Sequence, residues 1–129
     1  MADKNPHVLL VEDDRVFSEI LSRQFESRGA TIVHAATGKD ALEALKGKMV
    51  FDVILLDLSL PDIDGFDLLS QIKGIPALAD IPVIVISNFA EEKDIEWGRK
   101  LGVKQFIKKV SVMPGEIVDA ALDACAKSA

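Results

Sequence analysis

An α/β fold, a doubly wound parallel sheet of five strands with five helices, is what this sequence predicts. Three observations carry that reading. Short strand-like runs alternate with segments of helical period, the βαβα pattern of a parallel sheet covered on both faces. Runs such as Val53-Ile54-Leu55-Leu56 are apolar without alternation, as strands buried on both sides must be. Four of the runs stop abruptly at polar side chains, which places those side chains where a sheet opens to solvent.

Taken in order, residues 8–11 form the first strand, which ends at Glu12-Asp13. Val16, Phe17, Ile20, Leu21 and Phe25 recur at helical spacing as the apolar stripe of a first helix, and Gly29 stops it. Thr31-Ile32-Val33-His34-Ala35 is a second, shorter strand. Thr37 then caps a helix carrying Ala41, Leu42 and Leu45, which Gly47 closes. The third strand, 53–56, ends at Asp57 and leads through a loop with Pro61 and Gly65 into a helix over 66–72. Gly74 and Pro76 break that helix. A fourth strand follows Pro82 and ends at Ser87. The fourth helix, from about Ala90 to Leu101, carries Ile95, Trp97 and Leu101 and stops at Gly102. Phe106-Ile107 makes the fifth strand, ending at Lys108-Lys109. The final helix begins near Pro114, which suits a first helical position, and its stripe is Ile117, Val118, Ala121, Leu122 and Cys125.

Right-handed crossovers and short connections favour the flavodoxin-like strand order 2-1-3-4-5. In that order the first and third strands are neighbours, so Glu12, Asp13 and Asp57 meet at the point where the winding reverses. Ser87 and a lysine ammonium approach from the other side. Three carboxylates, a hydroxyl and an ammonium make a cation and phosphoryl site. With no His or Cys among the ligands, the oxygen-only set suits Mg²⁺ better than a transition metal. Local roles compete for the same residues. Asp13 or Asp14 caps the first helix, Ser87 or Asn88 is the expected cap of the fourth, and one of Lys108 and Lys109 guards an edge strand. His7, His34, Trp97 and Cys125 read as packing or surface residues.

A chain of 129 residues, 49% hydrophobic and 28% charged, is enough for one domain that buries roughly 65 to 70% of its unfolded surface. The net charge of -6 argues against direct nucleic-acid binding or attraction to an anionic membrane. A single cysteine forms no internal disulfide, no apolar run approaches the roughly 20 residues that span a bilayer, and the N-terminus lacks a signal-peptide core. The expectation is a cytoplasmic protein without membrane insertion, one domain over 1–129 with a flexible tail over 1–6.

The acids at 12 and 13, Asp57 with Pro61 and Asp64-Gly65, then Ser87 and Lys109, each at a strand end and in this order, resemble the receiver domains of bacterial two-component response regulators. The resemblance covers the whole chain. It implies that Asp57 is the phosphoacceptor, Asp13 a direct Mg²⁺ ligand, Glu12 the second metal-site acid and the Ser59 backbone carbonyl a third protein ligand. It further implies that Ser87 hydrogen-bonds the phosphoryl group, that Lys109 pairs with the acceptor and then with the phosphoryl group, and that Phe106 is the aromatic switch. The partners it implies are a histidine kinase or histidine phosphotransfer protein and a downstream protein target that reads the surface of helix four, strand five and helix five. The chain is expected to be either a single-domain regulator or a receiver cut from a longer protein, and not an enzyme, though it assists its own phosphorylation and dephosphorylation.

Some positions depart from the family pattern. Val110 stands where proline usually follows the lysine, which predicts a trans bond and a relaid loop, since a non-proline cis bond costs about 2.5 to 4 kcal/mol. Asn88 replaces a small residue, and Ser59 and Phe89 hold positions that tune phosphoryl lifetime, with a bulky Phe89 expected to prolong it. Two rival readings are a phosphohydrolase, whose second acid would occupy the Ser59 position, and a receiver-like scaffold that binds partners without phosphorylation.

Overall fold

In the computed structural model, which describes residues 5–88 and 91–128, five parallel strands line up in the order β2-β1-β3-β4-β5. The strands are β1 (His7–Val11), β2 (Thr31–Ala35), β3 (Val53–Asp57), β4 (Val83–Ser87) and β5 (Gln105–Lys108). The helices are α1 (Arg15–Ser27), α2 (Gly38–Lys46), α3 (Gly65–Lys73), α4 (Glu92–Lys100) and α5 (Pro114–Ser128). The order and the alternation are those the sequence predicts. Of the expected N-terminal tail, residues 1–4 lie outside the described residues. Asn5 donates its side-chain amide to the Thr31 hydroxyl at 2.7 Å, and the Pro6 carbonyl accepts from the Thr31 N–H at 2.8 Å.

The sheet has a core on each face, which is why its inner strands read as unbroken apolar runs. Val8, Leu10, Val53, Leu55, Ile84 and Ile86 face α1 and α5, where they meet Leu21, Phe25, Ile117 and Val118. Leu9, Val11, Ile54, Leu56, Val83 and Val85 face the other way, onto Ala41, Leu45, Leu68, Leu69 and Ile72. Both parities of each strand are therefore withdrawn from water.

Capping follows local chemistry with one correction. Asp14 caps α1 by accepting from the Phe17 N–H, and Thr37 caps α2 by accepting from the Asp40 N–H at 3.0 Å. Thr37→Ala is expected to cost about 1 kcal/mol in urea unfolding, the usual worth of such a cap. Neither Ser87 nor Asn88 caps α4. Ser87 is the last residue of β4 and lies too far ahead of Glu92, so Glu91 occupies the cap, its N–H held by the Asp94 carboxylate at 2.9 Å. The predicted helix start at Ala90 lies outside the described residues. Gly29 takes a φ of 85° after α1, a left-handed conformation that side chains with a Cβ disfavour.

A second correction concerns α1. Val16 and Ile20 belong to the predicted stripe, yet they are 67% and 40% exposed. At 100° per residue, Phe17, Ser18, Leu21 and Phe25 share one face, and Val16 and Ile20 fall to its side. On α4 only Gly98 is buried, and Trp97 is 49% exposed.

A candidate cation and phosphoryl site

Strand register brings the predicted residues to one sheet edge. Val11 pairs with Leu56, so the next residues of the two central strands, Glu12 and Asp57, stand side by side. Asp57 pairs with Ile86 on β4, and Ser87 is the following residue there. Ser87 in turn pairs with Lys108 on β5, one residue before Lys109. The strands do the positioning, and the chemistry sits just past their ends.

Glu12 is fully buried, Asp57 is 4% exposed and Ser87 is 1% exposed, whereas Asp13 faces solvent. One carboxylate oxygen from each of Glu12, Asp13 and Asp57 lies within 4.8 Å of the others. Both oxygens of Asp57 are engaged. The Ser59 N–H donates to Oδ1 at 3.1 Å, and the Lys109 ammonium donates to Oδ2 at 3.2 Å. The same ammonium lies 2.5 Å from Glu12 Oε1, while Glu12 Oε2 accepts from the Asp14 N–H at 2.9 Å. One lysine thus holds two buried acids.

Burial dominates the electrostatics. Loss of hydration pushes the Glu12 carboxyl up to about 7, against the pull of Lys109 and the Asp14 N–H. Burial also pulls the Lys109 ammonium down, but the Glu12 and Asp57 carboxylates outweigh it and the net shift is upward. Lys109 is therefore a fixed positive charge throughout the neutral range.

The altered segment after Lys109 resolves as expected of a non-proline residue. No cis peptide occurs among the described residues, and Lys109 opens a short 3-10 turn, Lys109–Ser111, that leaves Val110 73% exposed. The turn directs Lys109 into the site and leaves Lys108 exposed on the edge strand. Phe106 lies opposite Val85 on β5, partly buried, with its ring 3.6 Å from where a Cβ on Gly98 would sit. Ser59 forms an antiparallel bridge with Asp64 that closes the loop between β3 and α3. Phe89, the expected shield, lies outside the described residues.

Two neighbours escape the sequence reading. The Phe17 ring centroid is 4.9 Å from the Lys109 ammonium, a cation–π contact from the buried face of α1. The stripe marks Phe17 as core but says nothing of Lys109. His34 Nε2 lies 2.6 Å from the Glu12 backbone carbonyl, to which it donates. That side chain comes from β2, and no local pattern announces the bond.

The carboxylate cluster is an oxygen donor set of high charge, which fits a hard divalent cation. Over 112 residues the chain is 30% identical to the response regulator SaeR of Staphylococcus epidermidis, covering 87% of this chain and 47% of that protein. Over 102 residues it is 39% identical to the regulator of RpoS of Escherichia coli, covering 79% of this chain and 29% of that protein. The chain thus spans about half the length, or less, of these curated relatives. Among solved structures, the receiver domain of HemR from Leptospira biflexa matches with a TM-score of 0.83 at 31% identity, covering 94% of each chain. The Mn²⁺-bound form of the response regulator Rcp1 matches with a TM-score of 0.79 at 27% identity, covering 89% of this chain and 90% of that one. The family model for the response regulator receiver domain matches residues 8–121, and the chain belongs to that family of two-component signalling switches.

Proposed function

We propose that this protein is a phosphoacceptor switch of a cytoplasmic two-component phosphorelay, in which Asp57 receives a phosphoryl group from a histidine kinase or a histidine phosphotransfer protein. The observation that carries the reading is the state of Asp57, a nearly buried carboxylate at the end of a central strand, flanked by two further acids and held by a lysine. An acid so placed contributes nothing to the core. Asp13, Asp57 and the Ser59 carbonyl would hold Mg²⁺, with Glu12 supporting it. Bound there, the ion offsets the repulsion between the carboxylate and an incoming phosphoryl group.

In the transfer, a lone pair on an Asp57 carboxylate oxygen attacks phosphorus. The P–O bond forms as the P–N bond to the donor imidazole breaks, and the electron pair leaves on that nitrogen. Lys109 moves from the carboxylate to the phosphoryl oxygens, and the Ser87 hydroxyl donates to one of them. Drawing Ser87 inward frees room for Phe106, and the surface of α4, β5 and α5 changes its preference for a downstream protein. This is a shift between two packings, and it needs a partner that binds one of them better. The same groups assist hydrolysis of the acyl phosphate.

Incubation with acetyl phosphate and Mg²⁺ followed by intact mass tests the proposal. One labile phosphoryl adduct is expected on the wild-type chain and none on Asp57→Asn. No adduct on either chain would leave only a binding scaffold.

A further inference from the structure

The loop that joins β3 to α3 is pinned from outside by a helix that takes no part in the site. Asp62, in the middle of that loop, accepts from the Gly38 N–H on Oδ1 at 2.8 Å and from the Lys39 N–H on Oδ2 at 3.0 Å. These are the first two free donors of α2. The next one, on Asp40, is already taken by Thr37, the helix's own cap. A helix capped locally in the ordinary way gains a second acceptor from 24 residues further along the chain. The two bonds hold the Asp62 carboxyl below its ordinary value, although it is open to solvent.

The residue beside it is fitted to the same spot. A Cβ at position 38 would lie 2.1 Å from Ile63 Cγ2, so only glycine lets Ile63 pack this closely on the start of α2. Inside the loop, Ser59 bridges Asp64 and donates its N–H to Asp57 Oδ1. The loop is therefore tied at one end to Asp57, closed on itself by the Ser59–Asp64 bridge, and anchored at its middle to α2.

We propose that Asp62 is a positioning residue for the cation site: seated on the N-terminus of α2, it holds the 58–64 loop in the one arrangement that presents the Ser59 carbonyl beside Asp57. The inference rests on the reading of Asp13, Asp57 and Ser59 as the Mg²⁺ ligands. A pinned loop meets the ion with its carbonyl already placed, whereas a free loop must be ordered on binding, at a cost to affinity.

The test is Mg²⁺ titration calorimetry on the full chain, with amide hydrogen exchange over residues 58–65, for Asp62→Ala, Asp62→Asn and Thr37→Ala. Asp62→Ala is expected to weaken Mg²⁺ about tenfold, the lower range for an outer-shell partner, and to speed exchange at Ser59 and Gly65. Thr37→Ala removes the other cap of α2 and should leave both readouts unchanged, which separates loop positioning from helix stability. Asp62→Asn keeps one carbonyl acceptor but turns an NH2 toward the second backbone N–H, so it should fall between wild type and Asp62→Ala in both readouts. Unchanged Mg²⁺ binding in Asp62→Ala overturns the proposal, and so does weakened binding with no faster exchange at Ser59 and Gly65, which would assign the effect to charge alone. Absence of Mg²⁺ binding by the wild-type chain would instead remove the cation site itself, and the positioning role with it.

Discussion

Lys109→Ala is expected to slow phosphoryl loading of Asp57 by roughly 100-fold and to destabilise the protein in a pH-dependent way. The ammonium is the one cation in contact with both Glu12 and Asp57 among the described residues. Removing one partner of a buried ion pair costs about 3 to 5 kcal/mol, because the other charge is left without hydration or a counterion. Here the cost has an escape. Glu12 sits at about 7 even with Lys109 present, so without the lysine it takes a proton more readily. The destabilisation should therefore be small near pH 5 and approach the full figure near pH 8. Urea titrations of wild type and variant at the two pH values check this, and equal losses at both would show that Lys109 does not govern the charge of Glu12.

A second large effect is expected from pH and cations on the wild-type chain. The Glu12 carboxyl moves from 4.5 to about 7 on folding, so the folded state binds its proton more tightly than the unfolded chain does. The stability this supplies is complete below about 4.5 and is lost as pH rises through about 7. It amounts to roughly 3 kcal/mol, or about 10 °C in Tm for a domain of this size. Lys109 works the other way round in range only: its raised value supplies stability that persists until strongly alkaline pH. Glu12→Gln removes the titration and should flatten the Tm profile between pH 5 and 8 relative to wild type. Mg²⁺ should raise Tm by more at pH 8 than at pH 5, where it competes with the Glu12 proton. At a tenfold excess over Kd the gain is about 1.4 kcal/mol. An unchanged melting curve in Mg²⁺, or one that rises equally at both pH values, contradicts this account.

The sheet and its polar edge are legible in the sequence for a simple reason. A strand buried on both faces has no freedom to be polar, so Glu12, Asp57 and Ser87 stand out against Val11, Leu56 and Ile86. Residues whose role depends on a distant element are not legible in this way. Val16 and Ile20 share the period of the α1 stripe, but which side of it meets the sheet depends on how α1 packs against α5. The cap of α4 falls on Glu91 because the connection after β4 is longer than the apolar run indicates. Between Lys108 and Lys109, strand alternation leaves the choice open, and the 3-10 turn after β5 makes it. Asp62 looks like one more acid in a polar loop, since its partners at Gly38 and Lys39 belong to another helix.

Trp97 gives the molecule a built-in optical reporter. The chain has one tryptophan and no tyrosine, so near-ultraviolet excitation reads a single indole, half exposed on α4. Only Gly98 of that helix is buried, so a shift of α4 would tear little apolar surface from the body. Emission wavelength and quenching by iodide would follow such a movement in real time, on unlabelled protein, from the face where a signal would leave the molecule.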